Sequence, residues 1–116
     1  MKMAIVGSRK CGNFTVSTIL PYIPVNITEL VSGGAHGVDY FANAAAEILN
    51  IKMICFLPEY SKFGKAAPLI RNRQICDYAD CVLAFWDMKS KGTRSVISYC
   101  LKQRIPVRVI PMISQI

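Results

Sequence analysis

The residues best suited to chemistry form one glycine-rich stretch, Ser32-Gly33-Gly34-Ala35-His36-Gly37-Val38-Asp39. A short apolar run, Thr28 to Val31, precedes this stretch, and an alanine-rich amphipathic run, Tyr40 to Leu49, follows it. This order of strand, turn and helix lets backbone N–H groups and a helix N-terminus face an anion. The alternative is that the glycines only let a helix pack on a strand. We predict a phosphate-binding turn comprising Ser32, Gly33, Gly34, Ala35 and Gly37.

A second turn follows the apolar run from Met3 to Val6 and consists of Gly7, Ser8 and Arg9. The guanidinium of Arg9 can clamp a phosphate or stack on a base, and its ordinary alternative is a surface ion pair. Asp39, in the first turn of the helix, either complements the helix dipole or accepts a hydrogen bond from a ribose hydroxyl or a neighbouring loop.

A third turn contains Ser90, Gly92 and Thr93. Thr93 is predicted to cap a helix, and helix starts with free N–H groups also bind anions.

Catalytic groups are harder to find, because the spacing shows neither a close carboxylate pair nor a Ser/His/Asp arrangement. The weak candidates for a base are Asp87 and Glu59.

The aromatic residues and the single histidine also have both a functional and a structural interpretation. Tyr60 and Phe63 can stack on a base, whereas the position of Trp86 at a strand end favours burial. The position of His36, the single histidine, in a glycine turn is more typical of an exposed loop residue than of a catalytic base.

Composition predicts one compact domain spanning residues 1–116, with 53% hydrophobic residues to form its core. Fourteen Lys and Arg residues against seven acids give a net charge of +7, which favours an anionic partner or simply a soluble surface. No apolar run reaches the roughly 18 residues of a membrane span. We therefore expect a cytoplasmic protein without a membrane partner. Cys55 and Cys81 lie in apolar runs and are predicted to be buried, with no metal site.

Short apolar runs alternate with helical periodicity along the chain. We predict strands at Met3 to Val6, Thr28 to Val31, Met53 to Leu57, Cys81 to Trp86 and Val107 to Ile110, and helices over Phe14 to Ile23, Val38 to Leu49, Pro68 to Tyr78 and Thr93 to Leu101. Residues Glu59 to Ala67 and Asp87 to Gly92 are predicted loops, and the very apolar fourth strand is expected at the centre. The alternation predicts a parallel sheet whose turns meet at its carboxyl edge, where ligands bind in such folds.

These motifs together resemble a known superfamily. Gly7-Ser8-Arg9, the turn at 32–39, the loop from Pro58 through Gly64-Lys65-Ala66-Ala67, Arg71-Asn72-Arg73 and Ser90-Lys91-Gly92-Thr93 are similar to the SLOG superfamily of nucleotide-sensing domains, most closely its small YspA/YpsA-like branch. The resemblance implies a Rossmann-like three-layer αβα sandwich with a five-stranded, mainly parallel sheet, for which we expect the strand order 3-2-1-4-5. It also places Arg71 and Asn72 on the ligand face, where Asn72 either contacts the ligand or holds the loop, and it implies a homo-oligomer.

Two relatives of that superfamily point to different functions. LOG phosphoribohydrolases, also called lysine decarboxylase-like, use a catalytic glutamate whose position here is occupied by Val96. DNA-processing protein A (Smf) binds single-stranded DNA and carries a similar GSR turn, glycine turn and RNR segment. We predict binding of a nucleotide or nucleotide-derived ligand, such as an ADP-ribose-like molecule, with no cofactor required. The alternatives are a module for single-stranded nucleic acid and an N-glycosidic hydrolase that lacks the usual glutamate.

Overall fold

A single parallel sheet organises the fold. The computed structural model describes residues 1–8, 14–34 and 37–112. The strands are β1 (Lys2–Gly7), β2 (Glu29–Ser32), β3 (Lys52–Cys55), β4 (Cys81–Trp86) and β5 (Val107–Pro111). Their order across the sheet is β3-β2-β1-β4-β5, and every neighbouring pair is parallel. The predicted order is confirmed, and β4, which was expected at the centre because it is very apolar, lies inside the sheet with a neighbour on each side, next to the middle strand β1.

Helices connect the strands on both faces of the sheet. They are α1 (Val16–Ile19), α2 (Val38–Leu49), α3 (Tyr60–Phe63), α4 (Ala67–Tyr78) and α5 (Lys91–Gln103), with 3₁₀ turns at Leu20–Tyr22 and Gly64–Ala66. The predicted loop at 59–67 is therefore wrong, because α3 and a 3₁₀ turn occupy most of it. One-turn helices are too short to produce a recognisable hydrophobic period. The predicted start of the last helix at Thr93 is also wrong, since α5 begins at Lys91.

The helix ends follow from local backbone chemistry. Pro21 lies in the 3₁₀ turn that follows α1, as expected where proline disturbs a helix. Asn50 and Arg104 adopt left-handed conformations, with φ of 54° and 58°, at the ends of α2 and α5. Their backbone N–H groups donate to carbonyls of the preceding turn, which satisfies the helix ends. The predicted span of α2, from Val38 to Leu49, is confirmed.

Alternation along the central strands divides the core into two layers. On one face, Ile5 and Phe85 pack with α2 and with Phe14, whose ring stands edge-on to Phe85 at 5.0 Å. On the other face, Val6 and Ala84 pack with residues of α4 and α5, including Ile75, Cys76, Val96 and Cys100. The sheet with helices on both faces is the α/β sandwich that the sequence predicts.

The cysteines are distributed differently from the prediction. Cys55 is exposed and Cys81 is half-buried, because they lie at the end of the edge strand β3 and at the start of β4. Cys76 and Cys100 are fully buried instead, and their Sγ atoms lie 3.7 Å apart between α4 and α5. Burial of cysteine therefore follows helix packing here and not the apolar runs.

Across residues 1–8, 14–34 and 37–112, none of the helices is both long enough and apolar enough to cross a bilayer.

Candidate functional site

A cleft of about 430 Å³ opens at the carboxyl edge of the sheet. Its walls are the ends of β1, β2 and β4 and parts of α4 and α5, and its volume suits a small organic ligand. It lies where the chain leaves β1 and β4 toward opposite faces of the sheet, the usual place for ligands in open α/β folds. The described lining residues are Val6, Gly7, Ser8, Gly33, Asp39, Pro68, Arg71, Asn72, Ile75, Asp87, Ser90, Lys91, Gly92, Thr93 and Val96.

Arg71 places a buried positive charge in this cleft. The side chain is only 8% exposed, and its Nη1 donates a 2.7 Å hydrogen bond to the carbonyl oxygen of Gly33. Its Nε donates to Oδ1 of Asn72 at 2.9 Å. Both acceptors are uncharged, so no carboxylate of the described chain is hydrogen-bonded to this guanidinium. A guanidinium has five N–H donors, and those left over are available to a ligand in the cleft.

The side chain of Arg71 occupies the space that a side chain at position 33 would need. A Cβ atom at Gly33 would lie 2.5 Å from Nη1 and 2.8 Å from Cζ of Arg71. The sequence suggested two reasons for this glycine, phosphate contact or packing of a helix on a strand. The structure adds a third, contact with an arginine that lies 38 residues away in the chain.

Asp87 ties the loop after β4 to the end of β1. Its Oδ1 accepts hydrogen bonds from the backbone N–H groups of Lys89 at 2.9 Å and Ser90 at 2.7 Å. The Ser90 hydroxyl lies 3.0 Å from both Oδ2 of Asp87 and the hydroxyl of Ser8. Ser8 Oγ in turn accepts from the backbone N–H of Asp87 at 3.3 Å.

These hydrogen bonds determine the protonation state of the Asp87 carboxyl. Donation from the backbone N–H groups of Ser90 and Lys89, with smaller help from the hydroxyls of Ser90 and Ser8, holds the pKa of this carboxyl below its ordinary value. The carboxylate is therefore ionised at neutral pH, where a group of lowered pKa is a weak base. The contacts favour a structural role for Asp87 over the catalytic one considered from the sequence.

The N-terminus of α5 opens into the same cleft. Ser90 is the residue that precedes this thirteen-residue helix, but its side chain makes no capping hydrogen bond to the first turn. Its carbonyl oxygen accepts from Nε1 of the half-buried Trp86 at 3.0 Å, which fixes the helix start. Lys91, Gly92 and Thr93 form the first turn, which contains no acidic residue. Uncapped N–H groups and the helix dipole make this end attractive to an anion.

Other predicted site residues lie elsewhere. Ser32 is buried, and its hydroxyl accepts a 3.4 Å hydrogen bond from the N–H of Gly34. Gly34 and Gly37 have positive φ of 69° and 78°, which explains why glycine is required there. Glu59 is exposed at the start of α3. None of these four is among the described lining residues of the cleft.

Some predicted residues are outside the described part of the chain. Arg9, Ala35 and His36 fall in the undescribed segments 9–13 and 35–36, so their predicted roles stay predictions. Tyr60 is exposed and Phe63 half-buried, and neither is among the described lining residues.

The apolar floor of the cleft was not anticipated from the sequence. Val6, Pro68, Ile75 and Val96 contribute to it. On α4, the lining residues Pro68, Arg71, Asn72 and Ile75 follow the spacing i, i+3, i+4, i+7 of one helix face. That spacing is the signal by which this wall could have been found. Within the described residues, no group of three or more His, Cys, Asp or Glu side chains is placed to hold a metal ion.

The fold is similar to a solved structure of DNA processing protein A from Helicobacter pylori, a structure concerned with that protein's single-stranded DNA binding mode. The two share 26% sequence identity with a TM-score of 0.73, over 96% of this chain. The matched region covers 65% of the other chain. No model of a protein family and no curated protein matches the sequence. The likeness confirms the predicted Rossmann-like fold and is consistent with the predicted relation to DNA processing protein A, while the YspA/YpsA-like placement stays a prediction.

Proposed function

We propose that the cleft binds a nucleotide or nucleotide-derived ligand and holds it by a phosphate group. The observation that carries this proposal is the buried Arg71 guanidinium, which lines the cleft and whose hydrogen-bond acceptors among the described residues, the Gly33 carbonyl and the Asn72 amide oxygen, are neutral. Burying a charge is costly unless it is paired and hydrogen-bonded. A phosphate would give the remaining N–H donors of Arg71 a negatively charged acceptor, and arginine can bind it through two parallel N–H donors.

The remaining lining residues suit the rest of a nucleotide. The uncapped first turn of α5, from Lys91 to Thr93, offers further donors to the phosphate. The apolar floor formed by Val6, Ile75 and Val96 offers a surface on which a base or sugar can pack. The sequence assigns phosphate contacts to Arg9 and to the N–H groups of Gly33, Gly34 and Gly37. Of these residues, Gly33 is among the described lining residues, and the role of Arg9 stays a prediction.

Hydrolysis of the nucleotide receives no support from the cleft. Val96, which stands where LOG phosphoribohydrolases are expected to carry their catalytic glutamate, is buried in the floor. Asp87 is engaged by its own loop. We therefore propose binding without catalysis.

A thermal-shift screen with AMP, ADP-ribose, NAD and cyclic nucleotides tests the proposal. A ligand that binds only the folded state at about 100 times its Kd adds about 2.7 kcal/mol to the free energy of unfolding. We expect at least one of these compounds to raise the Tm by several degrees. Absence of any shift at millimolar concentrations would refute the proposed function.

A second candidate function is binding of single-stranded nucleic acid in the same cleft. Two observations favour it, the likeness to DNA processing protein A and the net charge of +7. A strand presents the same chemistry as a free nucleotide, with several phosphates in succession. Fluorescence anisotropy of a labelled oligonucleotide would then show affinity that falls steeply with salt and resists competition by mononucleotides. Easy displacement by mononucleotides would favour the first candidate.

Replacing Gly33 with alanine should weaken nucleotide binding more than it weakens the fold. The added Cβ would meet the end of the Arg71 side chain, which is flexible enough to move away. We expect the free energy of unfolding to fall by only about 1 kcal/mol, the low end of the cost of overpacking. Loss of the arginine's position should lower affinity about tenfold, a loss close to one charge-assisted hydrogen bond. Urea unfolding and calorimetric titration measure the two quantities, and unchanged affinity would contradict the assignment of Arg71.

A further inference from the structure

The cleft combines charges of both signs, although the chain as a whole is strongly basic. Among the described lining residues, Arg71 and Lys91 bring positive charge, and Asp39 and Asp87 bring negative charge. A cleft built only to maximise attraction for phosphate would not contain carboxylates, because like charges repel. The carboxylates therefore point to selection among anions.

Asp87 is the carboxylate whose position is best defined. Hydrogen bonds from the N–H groups of Lys89 and Ser90 and from the Ser90 hydroxyl hold it immediately before the first turn of α5. This is the helix end to which the proposed function assigns the phosphate. Because the same bonds stabilise the ionised form, Asp87 keeps its negative charge throughout the neutral range.

We infer that Asp87 makes the cleft selective for singly charged phosphodiesters over doubly charged phosphomonoesters. The inference rests on the proposed function and narrows its ligand class to an internucleotide, cyclic or dinucleotide phosphate. A diester carries one negative charge, which Arg71 can neutralise. A monoester carries nearly two at neutral pH, since its second pKa is about 6. The additional charge meets the fixed carboxylate of Asp87, and the charge of Lys91, the other cation among the described lining residues, is offset by the carboxylates already in the cleft.

The size of the effect follows from Coulomb's law. Unit charges several ångströms apart at the edge of a protein interact with an energy that changes affinity by about fivefold to tenfold. The charged groups around Asp87 among the described residues are Lys89 from its own loop and Asp39, Arg71 and Lys91 from the cleft walls, while Ser8 and Ser90 contribute neutral hydroxyls. The comparison of ligands is therefore made at one fixed pH, so that none of these groups changes between the measurements.

The test compares AMP with its methyl phosphodiester by calorimetric titration at about pH 8, where the monoester is fully dianionic. In the wild type, we expect the diester to bind about fivefold more tightly. In Asp87→Asn, which keeps the shape and one carbonyl acceptor, we expect the two affinities to become equal, mainly because AMP binds better. Asp77→Asn is the matched control, since Asp77 is exposed on α4, bonds the Tyr99 hydroxyl and is not among the described lining residues.

A measurement on the wild type alone guards against a variant that fails to fold. Lowering the pH to about 5.5 turns most AMP into the monoanion and should raise its affinity toward that of the diester, whose affinity should stay constant. Equal binding of both ligands at about pH 8, or a preference that Asp87→Asn leaves intact, would overturn the inference but not the proposed function. Failure of both ligands to bind would overturn the inference, and the proposed function falls with it if ADP-ribose, NAD and the cyclic nucleotides also give no thermal shift.

Discussion

The Arg71→Met variant is expected to bind the methyl phosphodiester of AMP about 30-fold more weakly than the wild type. This loss corresponds to about 2 kcal/mol, the usual contribution of a hydrogen bond to a charged group. Methionine fills much of the volume of the arginine stem but can neither donate to the Gly33 carbonyl nor neutralise a phosphate. Calorimetric titration measures the affinity, and circular dichroism with urea unfolding shows whether the variant remains folded.

The matched control for this result is Arg73→Met. Arg73 lies on the same helix and is exposed, with its guanidinium 5.5 Å from the centre of the Tyr99 ring. The substitution removes the same charge from the protein, but Arg73 is not among the described lining residues of the cleft. We expect its affinity to stay within about twofold of the wild type at moderate salt, because exposed charges are screened. Equal losses in the two variants would indicate a general effect of net charge and contradict the role of Arg71.

The Gly7→Ala variant is expected to lose about 3 kcal/mol of its free energy of unfolding, the upper part of the usual range for overpacking. Gly7 ends β1, and a Cβ atom there would lie 2.6 Å from Cγ2 of Val38 and 2.8 Å from the carbonyl oxygen of Phe85. Neither neighbour can rotate away, because one is the short side chain that begins α2 and the other is backbone of β4. Urea unfolding monitored by circular dichroism provides the measurement.

Gly92→Ala is the corresponding control. A Cβ atom at Gly92 would meet nothing within 4 Å, and the residue lies inside α5. Because alanine is a better helix former, we expect this variant to be more stable by about 0.5–1 kcal/mol. If Gly7→Ala unfolds at the same urea concentration as the wild type, the close packing of β1 on α2 is wrong.

The parallel sheet and the main helices could be predicted from the alternating strand and helix patterns, whereas the strand order was expected from the resemblance to a known superfamily. Periodicity alone could not identify α3, which is only four residues long, or the true centre of the sheet. β4 is the more apolar strand, yet it shares full burial with β1 because both have neighbours on each side. The hydrophobicity of a strand indicates that the strand is buried, but it does not show which of two buried strands lies at the centre of the sheet.

The residues that meet at the candidate site could be predicted in part from the sequence, but the contacts between them could not. Turns that follow parallel strands must meet at one edge, which is why Ser8, Gly33, Asp87 and Ser90 were expected near each other and line one cleft. The bond from Arg71 to Gly33 could not be predicted, since no local pattern links residues so distant in sequence. The same is true of Asp87, whose hydrogen bonds depend on the exact path of its loop.

The hydrogen bond from Arg71 to the Gly33 carbonyl has a consequence for motion. One guanidinium both joins α4 to the turn after β2 and lines the cleft, so an occupant that fixes the guanidinium also restrains that turn. Backbone amides near Gly33 should then exchange their hydrogens with solvent more slowly when the cleft is filled, even those that touch no ligand atom. A filled cleft would therefore be detectable as reduced motion in the turn that Arg71 joins to α4.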